Sequence, residues 1–172
     1  MIFETLSTKH LDMLFNFELE NRAWFESVIS PRDDYFYSYS GVKMHIFDSI
    51  INMKLGTHFS GVLILNNQIV ARANLKDICL KRRYGSVGYR VAENNTGKGY
   101  ASYCLRKLIK IAVDSYSINE LEALVLDNNP ASKAVLQKLG FEVESHKANF
   151  IYHQGRQLGC TTFKTTVESA VK

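Results

Sequence analysis

At 172 residues, the chain fits a single domain spanning residues 1–172, and 46% hydrophobic with 22% charged residues marks an ordinary globular composition rather than a disordered or fibrous one. The apolar run around Val62–Leu65 falls far short of the ~20 residues a membrane helix needs. Met1–Thr5 begins no secretion leader, so a soluble, cytoplasmic protein with no membrane partner is expected. A net charge of +4 and a pI near 8.9 come without a clustered basic stripe, which excludes a nucleic-acid surface. The short run Lys81-Arg82-Arg83 reads as a solvated loop. Cys79, Cys104 and Cys160 are widely spaced and read as small core residues, and neither they nor the five scattered histidines form a metal-ligand spacing.

In chain order, Phe3–Leu6 reads as a first strand, with Ser7 or Thr8 placed to cap a helix. Leu11, Leu14, Phe15 and Leu19 recur at helical spacing from His10 to Glu20. Residues Asn21 to Ser40 hold Trp24, Phe25, Tyr35, Phe36, Tyr37 and Tyr39 without a steady period, as a loop that either walls a pocket or seals a core. Helical spacing returns from Met44 to Leu55. Phe59–Leu65 and Gln68–Leu75 read as a hairpin about Asn66-Asn67, and Gly85–Val91 as a further strand. Ala101, Leu105, Leu108 and Ala112 line one face of the next helix. Leu121–Leu126 is a buried-type strand, Pro130 opens a helix to Leu139, and Gly140 closes it. The segment Phe141–Thr166 reads as two strands turning at Gln154-Gly155. The order β-α-α-β-β-β-α-β-α-β-β makes a mixed α/β sandwich on one sheet.

Chemistry concentrates in two stretches. The first, Asn94-Asn95-Thr96-Gly97-Lys98-Gly99-Tyr100-Ala101, lies between a strand and a helix, where close glycines expose N–H groups in front of the helix's positive end. That arrangement suits phosphate or pyrophosphate. It is no P-loop, because Gly99 stands where a magnesium-binding hydroxyl belongs, and no dinucleotide fingerprint, because Ser102 stands at the third glycine. In the second stretch, from Asn128 to Phe141, Asn129 ends a strand and Ser132 sits in the first helical turn. There Ser132 either caps the helix or faces a ligand.

Together the two stretches resemble the GCN5-related N-acetyltransferase (GNAT) family. Asn94-x-x-Gly97-x-Gly99 follows the family's Gln/Arg-x-x-Gly-x-Gly/Ala pattern except at its first position. Asn129, Ser132, Leu139, Gly140 and Phe141 fit the Asn-x-x-Ser…Leu-Gly-Phe order of the ribosomal-protein alanine N-acetyltransferase (RimJ/RimL-type) branch, which Glu20-Asn21-Arg22 and Ser30-Pro31-Arg32 also resemble.

The resemblance implies an α/β (α+β) fold with a mixed, mostly antiparallel sheet of about seven strands. The two middle strands splay apart, and about four helices flank the sheet. It implies acetyl-CoA as cosubstrate, no metal, and transfer to a primary amine by direct attack in a ternary complex. The acceptor is a protein N-terminus, ribosomal proteins included, or a small amine, and the molecule is a monomer or homodimer. Cofactor contacts then fall on Tyr89, Arg90 and Val91 (main chain to pantetheine), on Asn94, Thr96, Gly97, Lys98, Gly99, Tyr100 and Ala101 (pyrophosphate), and on Asn129 and Ser132. Many family members carry a tyrosine acid where Leu136 stands here, so Ser132 is the candidate proton donor to the leaving thiolate. Glu122, which shares a strand face with Leu124, is weighed as a base acting through water against a plain salt-bridge role. Tyr89 and Tyr35 remain as polar lining. The rival reading is a catalytically silent acyl-CoA-binding regulatory module on the same fold.

Overall fold

Alternation of apolar and polar residues from Phe59 onward builds the sheet that organises the computed structural model, in which residues 1–167 are described. Its strands are β1 (Ile2–Thr5), β2 (Phe59–Leu65), β3 (Gln68–Cys79), β4 (Tyr84–Val91), β5 (Glu120–Leu126), β6 (Glu142–His153) and β7 (Arg156–Thr166). They lie in the order β1-β2-β3-β4-β5-β7-β6. Every neighbouring pair is antiparallel except β4 and β5. That parallel pair is joined at Tyr84–Glu120, Gly85–Leu121 and Ser86–Glu122 only. Beyond Ser86 the two strands part, which is the splay expected from the sequence.

The helices are α1 (Leu11–Glu20), α2 (Arg22–Val28), α3 (Tyr39–Lys54), α4 (Tyr100–Tyr116) and α5 (Pro130–Lys138). They number five among the described residues, against the expected four. The addition is α2, from the segment read as loop. Seven residues make fewer than two turns, too few for an apolar period to register. The helix is held by tertiary packing, with Phe25 buried and its ring 5.2 Å from that of Phe17. The aromatic residues that follow seal a core rather than wall a pocket. Phe36 and Tyr37 are buried, while Tyr35 and Tyr39 are exposed.

The sheet divides two cores. Ala71, Ala73 and Leu75 pack with Leu105, Leu108 and Ala112 of α4 and with Leu136 of α5. On the opposite face Val62 joins Leu14, Phe17, Phe25, Val42 and Ile46 from the layer of α1, α2 and α3. Lys81, Arg82 and Arg83 are exposed in the β3–β4 turn, as expected of a solvated loop. Cys104 and Cys160 are buried and Cys79 half-buried. Among the described residues no helix is long and apolar enough to cross a membrane.

Candidate active site

The strand β4 delivers its chain into a loop that turns twice through left-handed backbone, at Gly97 (φ +72°) and Gly99 (φ +81°), before α4 begins. Only glycine takes this conformation without strain. Among the described residues the N–H groups of Gly97, Lys98 and Gly99 have no hydrogen-bond acceptor, and the first turn of any helix leaves its own N–H groups open. The loop is therefore a row of free donors at the positive end of a seventeen-residue helix.

A cavity of about 370 Å³ runs from this loop along the splay. Thr96, Gly97, Gly99, Tyr100 and Ala101 line its mouth, Tyr89, Arg90 and Val91 one wall, and Asn129, Ser132 and Val135 the other. Two residues expected at the cofactor are not among its lining. Asn94 lies in a 3₁₀ turn and its carbonyl accepts from Lys98 Nζ at 2.8 Å, so that the Lys98 ammonium folds back on the loop. Trp24, Val28 and Ile29 cover the cavity, so the pocket-wall reading of the Asn21–Ser40 segment holds at Trp24 while Val28 and Ile29 carried no signal. Trp24 Nε1 donates to the Val91 carbonyl at 3.2 Å, occupying one acceptor on the free edge of β4.

A second cavity of about 320 Å³ opens on the other side of the splay, with Ser30, Gly88, Leu124, Phe150 and Cys160 in its walls. The two cavities share Val28, Ile29, Tyr89, Asn129 and Ser132. At this junction the Tyr89 hydroxyl lies 3.0 Å from Ser132 Oγ. Burial pushes the Tyr89 hydroxyl up to about 12, with the Ser132 hydrogen bond opposing it. It therefore stays protonated near neutrality. The helix cap belongs to Asn129, whose Oδ1 accepts from the Ser132 N–H at 3.1 Å, leaving the serine hydroxyl to Tyr89. The Asn129 amide also donates to the Val28 carbonyl at 3.4 Å.

Glu122 lines neither cavity. It is the last residue of β5 paired to β4 and sits 3.9 Å from Lys164, the salt-bridge placement weighed from the sequence. Tyr35 is likewise absent from both cavities.

Beside the junction lies a buried charge cluster with no local sequence signal. Glu18 of α1 accepts from Arg72 Nη1 at 2.8 Å and from Arg90 Nη1 at 2.9 Å. Arg72 Nη2 lies 2.9 Å from His45 Nε2, which must accept because guanidinium offers only donors. Burial and the Arg72 charge pull His45 down to about 2, keeping it neutral.

A sheet parted at its parallel pair, with a glycine loop and a helix N-terminus at the mouth of the gap, defines the acyltransferase-type architecture that the sequence resembles. Residues 1–142 match the acetyltransferase (GNAT) domain family, and the chain belongs to that family. The uncharacterised N-acetyltransferase YoaA of Bacillus subtilis is 25% identical over 105 residues, which are 61% of this chain and 56% of that protein. The match thus spans little more than half of the relative's length. The ribosomal-protein-S5-alanine acetyltransferase of Vibrio fischeri shares the fold, with a TM-score of 0.89 at 19% identity over 98% of this chain and 93% of its own. The spermidine N-acetyltransferase of Vibrio cholerae, solved with CoA and spermine, has a TM-score of 0.83 at 14% identity over 99% and 98% of the two chains.

Proposed function

We propose that the chain is an acetyl-CoA-dependent N-acetyltransferase that acylates a primary amine, at a protein N-terminus or on a small molecule. The observation that carries this reading is the pair of cavities on opposite sides of the splay, sharing one hydroxyl pair at their junction. A donor and an acceptor entering from opposite sides would meet there without a covalent enzyme intermediate.

The roles of the residues follow from their placement. The free N–H groups from Gly97 onward, with the first turn of α4, hold the pyrophosphate. The main chain of Tyr89, Arg90 and Val91, unpaired toward β5 except at the Val91 carbonyl that Trp24 occupies, offers donors and acceptors to the pantetheine amides. A neutral amine in the second cavity attacks the thioester carbonyl; the C–N bond forms, the C–S bond breaks, and the sulfur leaves as thiolate. Ser132 Oγ–H donates to that sulfur while Tyr89 Oη–H supports the serine oxygen, and the positive end of α5 lies beneath both. Tyr89 thus brings a phenol to the junction although Leu136 replaces the tyrosine many relatives carry. The proton shed by the attacking nitrogen after C–N bond formation passes to water in the second cavity; Glu122, tied to Lys164, takes no part in this route.

Free-thiol release from acetyl-CoA, measured against a panel of small amines and N-terminal peptides, tests the proposal. Amine-dependent release supports it. Acetyl-CoA binding without amine-dependent release would return the chain to the silent acyl-CoA-binding module.

A further inference from the structure

The sheet face that carries the buried charge cluster continues past its cover. Arg72, Asn74 and Lys76 of β3 pair with Arg90, Gly88 and Ser86 of β4 in the same order, and alternation turns all six toward one face. Over Arg72 and Arg90 that face is roofed by α1, through Glu18. One pair further on the roof ends: a Cβ at Gly88 would meet nothing within 4 Å, and Lys76 is exposed. Gly88 also forms part of the second cavity, together with Ser30. The face therefore becomes the floor of the acceptor side of the splay.

The charges around this floor are unbalanced. Arg32, two residues beyond Ser30, lies over the Phe36 ring at 3.9 Å. Among the described residues neither Arg32 nor Lys76 has a carboxylate within ion-pair distance, while Glu18 is shared between Arg72 and Arg90. The carboxylates Glu120, Glu122 and Glu144 gather on Lys164 instead. Arg32 is pulled down to about 9 by burial and by the Arg90 charge, and the Arg32 charge also bears on Lys76. Arg32 remains a cation at neutral pH. Arg32 and Lys76 thus flank the open floor at Gly88 without an ion-paired carboxylate, the Asp77 charge alone among acidic groups bearing on Lys76, while Arg72 and Arg90 lie under α1 with Glu18.

We propose that the acceptor amine carries an anionic group, a carboxylate or a phosphate, and that Arg32 and Lys76 receive it above Gly88. This rests on the acetyltransferase reading and narrows it. A polyamine would bring like charge to a partly desolvated cationic floor, where repulsion is strong. The fold shared with a spermidine acetyltransferase therefore does not carry its substrate across.

The test compares thiol release with three peptide amides, Ala-Glu-Glu, Ala-Gln-Gln and Ala-Lys-Lys, and with spermidine and O-phosphoethanolamine. For the glutamyl peptide or the phosphoamine, kcat/KM exceeds that of the neutral peptide about 10-fold or more, with the advantage shrinking as salt rises. The lysyl peptide and spermidine rank last. Which of the two anionic acceptors leads tells an acidic chain terminus from a small phosphoamine. Arg32→Gln and Lys76→Gln each reduce the anionic advantage through KM, while acetyl-CoA affinity serves as the control for folding. Equal rates across the charge series, or a lead for spermidine, would overturn the inference and leave the acetyltransferase reading standing. Absence of thiol release with every acceptor would instead defeat that reading, and calorimetry of the same compounds on the CoA-bound protein then decides the inference. Charge-ranked binding weakened by Arg32→Gln upholds it, and binding blind to charge overturns it.

Discussion

The two sides of the splay are built from different groups. On the α4 side they are main-chain N–H donors packed into one short loop, with Gly97 and Gly99 in left-handed backbone. On the other side they are charged side chains gathered from α1, the segment after α2, β3 and β4, with Glu18 bonded to Arg72 and Arg90 across 54 and 72 positions of sequence. Main-chain recognition tolerates changes of side chain but not of backbone conformation. The charged side depends on every member, because removing one buried charge strands the others.

That contrast sets the largest expected effect. Glu18→Gln removes the carboxylate that neutralises two buried guanidinium groups and should cost about 3–5 kcal/mol of stability, read as a large fall in melting temperature. A small loss would show that the cluster is wetter than its burial implies. The pH dependence has a definite sign. Burial alone would raise the Glu18 carboxyl, but the Arg90 and Arg72 charges outweigh it and hold the group below the ordinary carboxylate value. Its stabilisation is therefore complete above that ordinary value and is lost as pH falls through the lower folded one. The stability gap between wild type and Glu18→Gln should accordingly narrow in acid and stay constant near neutrality.

Gly99→Glu probes the main-chain side. Space for a side chain exists, since a Cβ at Gly99 meets nothing within 4 Å. The damage comes from the φ of +81° and from a carboxylate set against phosphate. Acetyl-CoA affinity should fall about 100-fold, near 2.7 kcal/mol, with a much smaller loss of stability. Unchanged affinity by calorimetry would remove the pyrophosphate from this loop.

The same contrast explains what could be read in the chain. Gly97, Gly99, Asn129, Pro130 and Gly140 act through local backbone geometry, so their spacing announced a glycine turn ahead of one helix and a cap on the next. The mixed sheet and the splay followed from the resemblance those residues carry. The helix α2 escaped because it is short and held by Phe25 packing on Phe17, a contact between elements. The Tyr89–Ser132 pair and the Glu18 cluster escaped for the same reason: each exists only after distant segments meet. Glu122 was weighed through its strand face alone, and the sequence could not show Lys164 lying beside it.

At the junction of the two sides, Ser132→Ala removes a donor used mainly as sulfur gains charge. It should lower kcat and kcat/KM together by about 10–100-fold, less than a full oxyanion-hole loss because thiolate leaves readily. Asn129→Ala provides the contrast. Its side chain carries the α5 cap, so it should cost about 1 kcal/mol of stability. A stability loss from Ser132→Ala with near-normal kcat would exchange the two assignments.

The smallest effect is expected from Tyr89→Phe, which tests whether the two sides are coupled at all. The variant keeps the ring that lines both cavities and removes only the hydroxyl 3.0 Å from Ser132 Oγ. If Tyr89 merely fills space, kcat is unaltered. If it supports the serine as donor, one neutral hydrogen bond is lost and kcat falls about 2–5-fold, with acetyl-CoA affinity held. With its hydroxyl pushed up to about 12 by burial, Tyr89 keeps its proton throughout the neutral range. The wild-type pH–rate profile should therefore contain no limb that Tyr89→Phe abolishes below about pH 10. In the double variant with Ser132→Ala the tyrosine effect should vanish, because a group acting through Ser132 has nothing left to support.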